Sequence, residues 1–203
     1  MVAFFASSAN AIPFAFNNIT NNSATNATIG ETQLWLDITG SGSNVIFTFH
    51  NNGSEACSIT DVYFDYGQLV GAMSIDTAGT SSGVSFSPGA TPPNLPGGNT
   101  IGFQANYSAD SDAPVMINGV NPNEYLAIEF NGISFDDVVA GLNSNAFMTG
   151  IHVQGFANGG SESFIATTPP APVPEPATML LLGSGLISLA GLRKRNRKSK
   201  STD

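Results

Sequence analysis

Thr32-Gln33-Leu34-Trp35-Leu36-Asp37-Ile38 is followed by Gly40-Ser41-Gly42-Ser43-Asn44 and then by Val45-Ile46-Phe47-Thr48-Phe49-His50. In the first run Leu34, Leu36 and Ile38 fall on one face, with Trp35 and Asp37 on the other. In the second, Val45, Phe47 and Phe49 face one way, and Thr48 and His50 the other. Side chains alternate across a strand, so each run predicts a half-buried strand. Joined by a short Gly/Ser turn, the two predict a β-hairpin.

The same pattern extends outward. Cys57 to Tyr66 places Val62, Phe64 and Tyr66 on one side and Asp61, Tyr63 and Asp65 on the other. Further strands are predicted at Leu69–Ile75, Val84–Phe86 (ended by Pro88), Thr100–Tyr107, Glu124–Asn131, Met148–Phe156 and Ser161–Thr167, with Val115–Ile117 pairing briefly. Asn17 to Thr28 reads as a loop or ragged strand, Ala90 to Gly98 as a long irregular crossing, and Asp110 to Pro114 as a loop. The predicted helix opens at Ser134, where Asp136 and Asp137 favour the positive helix end, and Val138, Val139 and Leu142 give it an apolar side. About eight to ten short strands with turns every ~8–12 residues predict an all-β fold, an antiparallel β-sandwich of jelly-roll type.

Charge narrows the function classes. The 203-residue chain has a net charge of −9, and every Lys and Arg lies between Arg193 and Lys200. Residues 1–192 therefore offer no cation for phosphate, which excludes nucleic-acid binding by charge neutralisation. Their carboxylates must be solvated, hydrogen-bonded or bound to cations. The single cysteine, Cys57, makes no internal disulfide and reads as an inert thiol.

The two ends differ from the body. Residues 1–11 carry a short apolar patch (Val2 to Ala6) and end Ala9-Asn10-Ala11, as in the end of a signal peptide. Residues 12–168 form the β-sandwich domain, and residues 169–176 a stiff Pro-rich spacer. Ala177 to Leu192, with Leu180, Leu181, Leu182, Leu186, Ile187 and Leu189, is apolar all round. As a helix it is about 24 Å long, slightly short of a comfortable bilayer span. Residues 193–203 are a basic tail whose Arg193, Lys194, Arg195, Arg197 and Lys198 snorkel and stay cytoplasmic.

Pro174-Glu175-Pro176, the apolar helix and the Arg-Lys-Arg cluster, in that order, resemble the PEP-CTERM sorting signal of exopolysaccharide-forming Gram-negative bacteria. The resemblance covers residues 172–198. It implies export, transient anchoring in the inner membrane, and cutting near Pro176 by exosortase, a membrane protease or transpeptidase. The destination it implies is the cell surface or extracellular matrix, with exopolysaccharide as a partner. Ser58–Asp65 and Gly150–Phe156 are similar to segments of other proteins bearing this signal, without an implied activity.

The remaining candidates are weaker patterns. Gly79-Thr80-Ser81-Ser82-Gly83 has nucleophile-elbow spacing but no helix after it. His50 and His152 lack the spacing of a zinc site. Asp61 and Asp65 stand about 13 Å apart on one strand, too far for a glycosidase pair. With Tyr63 and Trp35 they are a candidate carbohydrate-binding face. Asp110 and Asp112 are candidate calcium ligands, and no other cofactor is expected. Three readings of the body follow: a non-catalytic matrix protein, a carbohydrate-binding module, or a hydrolase using Ser81 with a histidine or a pair drawn from Asp61, Asp65, Asp110 and Asp112.

Overall fold

A computed structural model describes residues 10–41, 43–67 and 71–167. The expected spacer, sorting motif, membrane anchor and basic tail lie outside the described residues, as does most of the signal-peptide remnant. Among the described residues, no helix is long and apolar enough to cross a membrane.

The fold is mostly β and antiparallel, as the alternation predicts. The strands are β1 (Asn10–Asn18), β2 (Leu34–Ser41), β3 (Asn44–Asn51), β4 (Ser58–Asp65), β5 (Ala72–Ile75), β6 (Phe86–Pro88), β7 (Tyr107–Ser111), β8 (Glu124–Asn131), β9 (Met148–Gln154) and β10 (Glu162–Thr167). They form one ten-stranded sheet in the order β5-β8-β3-β2-β1-β10-β9-β4-β7-β6. The two layers of the core are thus halves of one sheet, curled almost into a barrel. Phe47 of β3 meets Phe64 of β4 edge-on at 5.2 Å although four strands separate them in the sheet. Phe47 also meets Phe130 at 5.4 Å and stacks on Phe147 at 5.6 Å. The inward faces of β2, β3 and β8 are fully buried in this core, as the hairpin's alternation requires.

Helix α3 (Phe135–Ser144) starts at Ser134, whose Oγ accepts from the Asp137 N–H, and ends at Asn145 in the left-handed conformation. Three other segments depart from expectation. Asn17–Thr28 is not a loop throughout, because helix α1 (Ala24–Gln33) begins there, capped by Ser23. It buries Asn26, Ala27, Gly30 and Gln33 and has no apolar stripe, so hydrophobic periodicity cannot reveal it. A Cβ on Gly30 would lie 2.1 Å from the Phe164 ring, so glycine is what lets this helix pack against β10. Val115–Ile117 is not a strand but part of a short helix, α2 (Val115–Asn118). Thr100–Tyr107 is not a strand either: a 3₁₀ turn occupies Gly98–Ile101, and β7 starts at Tyr107, so Asp110 and Ser111 are strand rather than loop.

β4 carries the largest departure in burial. Val62 and Phe64 enter the main core, but Tyr63 on the other face is 0% exposed and Asp61 only 3%. The crossing segment folds back over that face, and Ala90, Leu95 and Phe103 pack on Tyr63. A strand buried on both faces violates the half-solvated assumption behind the alternation argument.

Candidate functional site

Asp61, Asp110, His152 and Ser163 stand in one row across four neighbouring strands. Asp110 of β7 lies opposite Asp61 of β4, His152 of β9 opposite Asp61, and Ser163 of β10 opposite His152. A bulge at Thr60 interrupts the β4–β9 ladder. The Thr60 hydroxyl donates to Asp61 Oδ2 at 2.9 Å, and His152 Nδ1 lies 3.0 Å from the same oxygen. A carboxylate only accepts, so the imidazole N–H points at it.

Burial raises the Asp110 carboxyl above its ordinary range, and the neighbouring Asp61 raises it further, outweighing a hydrogen bond from the Thr91 backbone. The two carboxyl groups are cross-strand neighbours. Burial and the same two carboxylates push the Tyr63 phenol strongly up, and its hydroxyl donates to the Pro92 carbonyl at 3.0 Å. The phenol stays neutral and ties the crossing segment down.

Serine, histidine and aspartate in a row have the composition of a nucleophile, its base and the group that orients the base. Ser163 is 0% exposed, however, and its Oγ has no hydrogen-bond partner, so the nucleophile–base contact is absent. Sequence reasoning missed this row because Asp61 and His152 are 91 residues apart and meet only through strand order.

The expected carbohydrate face does not assemble. Trp35 stacks on His50 at 4.1 Å on the outer side of the hairpin, with Tyr125 beyond, 5.8 Å from His50. Strands β1, β10 and β9 separate it from β4 in the sheet. Tyr63 and Asp61 are covered, and Asp65 accepts from the Gln104 N–H at 2.9 Å, a loop tie. The hairpin contains its own titrating pair. Burial lowers His50 and raises Asp37, and each shift is partly offset by the partner at 3.7 Å.

The expected calcium pair is also divided. Asp110 lies opposite Asp61 in the ladder and is raised by it and, less, by Asp112, whereas Asp112 accepts from the Ser85 and Ser87 hydroxyls, which hold it below the usual range. Among the described residues, no three of His, Cys, Asp and Glu converge to hold a metal. Ser81 is engaged with the Tyr125 backbone, both donating to its carbonyl and accepting from its N–H at 2.9 Å. Burial pushes the Cys57 thiol up to about 11, despite hydrogen bonds from Gln33 and Asn51.

One buried carboxylate is fully served. Glu162 is 0% exposed, and its Oε2 accepts from Asn18 Nδ2, Thr20 Oγ1 and the Asn22 N–H at 3.0, 2.6 and 3.1 Å. Its Oε1 accepts from the Ser23 N–H at 2.6 Å. Burial alone would raise its pKa; these four donors hold it below the ordinary value. Glu162 thereby fastens the β1–α1 connection to β10.

The strongest functional statement comes from the other end of the chain. Residues 172–195 match the PEP-CTERM protein-sorting motif. The protein is thus a sorted, exported one, with transient membrane sorting toward the cell surface. It carries the mark of an exosortase substrate, exosortase being a membrane protease. No curated protein and no solved structure matches the chain.

Proposed function

We propose that the protein is a non-catalytic component of the cell surface or extracellular matrix of an exopolysaccharide-forming Gram-negative bacterium, released from its anchor by exosortase. The observation that carries this reading is the sorting motif joined to a body without Lys or Arg. Its titratable groups support it: Asp61, His152 and Glu162 are spent on internal hydrogen bonds, and Ser163 is closed to solvent. The test combines cell fractionation with turnover assays on ester, glycoside and peptide panels. Recovery from the surface fraction without turnover is the expected result. Turnover abolished by His152→Ala would overturn the non-catalytic reading.

A second reading, that the body binds carbohydrate, is favoured by a specific feature. Among the described residues, a cleft lined by Ser58, Gln154 and Phe156 has no charged side chain in its lining.

A further inference from the structure

This cleft, of about 890 Å³, lies between the start of β4, the β9–β10 turn and α2. Ser58 and Gln154, opposite one another in the β4–β9 ladder, contribute to its lining. Ser58 is 1% exposed, and its Oγ is buried without a hydrogen-bond partner. That oxygen lies against Gly119, where an added Cβ would be 2.3 Å from it, so Ser58 contributes a closed wall to the cleft and not a free hydroxyl. Asn121 donates both amide hydrogens inward, to the Ile117 and Gly119 carbonyls, which leaves its Oδ1 as an acceptor. Gly159, at positive φ, would have open space around a Cβ, so this part of the wall is bare backbone.

The chemistry of the lining defines the ligand. In a body rich in carboxylates, none of the described residues brings one to this cleft, and none brings a cation. Hydroxyl and amide groups alternate there with Met116 and Phe156. Met116 of α2, which lines the cleft, is 51% exposed and offers it an apolar side chain. A ligand that is neutral, rich in hydroxyls and apolar on its C–H faces satisfies all of these at once. A peptide strand would instead extend a sheet edge. The edges belong to β5 and β6, neither of which lines the cleft.

We propose that this cleft binds a neutral saccharide, with Asn121 and Gln154 meeting its hydroxyls and Met116 and Phe156 its C–H faces. The inference rests on the carbohydrate-binding reading and adds the site and the ligand class. A cleft of this size takes a few sugar units.

The experiment titrates the full-length chain in detergent with maltohexaose, cellohexaose and a β-1,3-glucan hexamer. A hexauronate and an uncharged hexapeptide serve as comparisons. The expected result is binding of at least one neutral hexasaccharide, with the hexauronate and the peptide each about tenfold weaker or absent. Ala56→Trp, at an exposed position lining the cleft, should weaken that binding by about tenfold or more, and Gln154→Ala by about three- to tenfold. If Ala56→Trp does not fold, Met116→Ala decides in its place. No binding of any neutral hexasaccharide by the wild type would overturn both the inference and the reading it rests on. Saccharide binding left unchanged by the variants would overturn the cleft alone. Preference for the hexauronate or the peptide would overturn the ligand class.

Discussion

Replacing Glu162 tests how an acidic body without Lys or Arg holds its carboxylates. The side chain is 0% exposed and accepts four hydrogen bonds, two of them from backbone N–H groups at the entry to α1. Glu162→Ala leaves the Thr20 hydroxyl and the Asn22 and Ser23 N–H groups without their acceptor. An unpaired donor costs about 1–3 kcal/mol when buried; these three are part-buried and can rehydrate, so the expected loss is about 3 kcal/mol. Glu162→Gln keeps the shape and one oxygen. With that oxygen toward Thr20 and Asn22, the new amide meets the Ser23 N–H donor to donor, for a loss of about 1.5–3 kcal/mol. Domains of this kind have ~5–15 kcal/mol in all, so both losses are readable by urea unfolding of residues 10–167 at pH 7. The pH dependence has a definite sign. A folded pKa below the unfolded value of about 4.3 gives stability that is full above that pH and is lost as pH falls through the folded pKa. Glu162→Gln should flatten this acid limb. A Glu162→Gln protein within about 0.5 kcal/mol of wild type at pH 7 would show that these donors do not depend on the carboxylate.

Three further outcomes follow from the packing and the shifted groups. Gly30→Ala sets a helix-propensity gain of about 1 kcal/mol against an overpacking cost of about 1–3 kcal/mol at the Phe164 ring, so the melting temperature should fall by several degrees, and a rise would contradict the close approach. Cys57, with its thiol pushed up to about 11, should resist iodoacetamide at pH 8 in the native state and react in urea; prompt native labelling would show the thiol to be accessible. His50 is lowered by burial, so its contribution to stability is full above the unfolded value of about 6.5 and is lost as pH falls through the folded pKa. His50→Phe, which keeps the stack on Trp35, should remove that part of the slope between pH 7.5 and 5.5 as read by thermal melts.

The hairpin was legible because one face is core and the other is not. Leu34, Leu36, Ile38, Val45, Phe47 and Phe49 all bury as the alternation requires. β8 and α3 were legible for similar reasons: clean alternation in one, an N-cap with two acids in the other. Helix α1 was not, because its contacts run through Asn26, Gly30 and Gln33 rather than an apolar stripe. Alternation alone puts Tyr63 and Asp61 on an open face, because the segment that covers them, with Leu95 and Phe103, is irregular and has no period to read. The Asp61–His152 pair depends on β4 and β9 becoming neighbours, which local sequence does not encode. The sorting motif was legible in full, since its meaning lies in linear order rather than in a fold.

Export with cutting at the sorting motif can be read from intact-mass spectrometry of the protein recovered from the cell surface. The expected species ends near Pro176 and lacks the apolar run and the basic tail. Surface protein that still carries Arg193 to Lys200 would rule the cutting out.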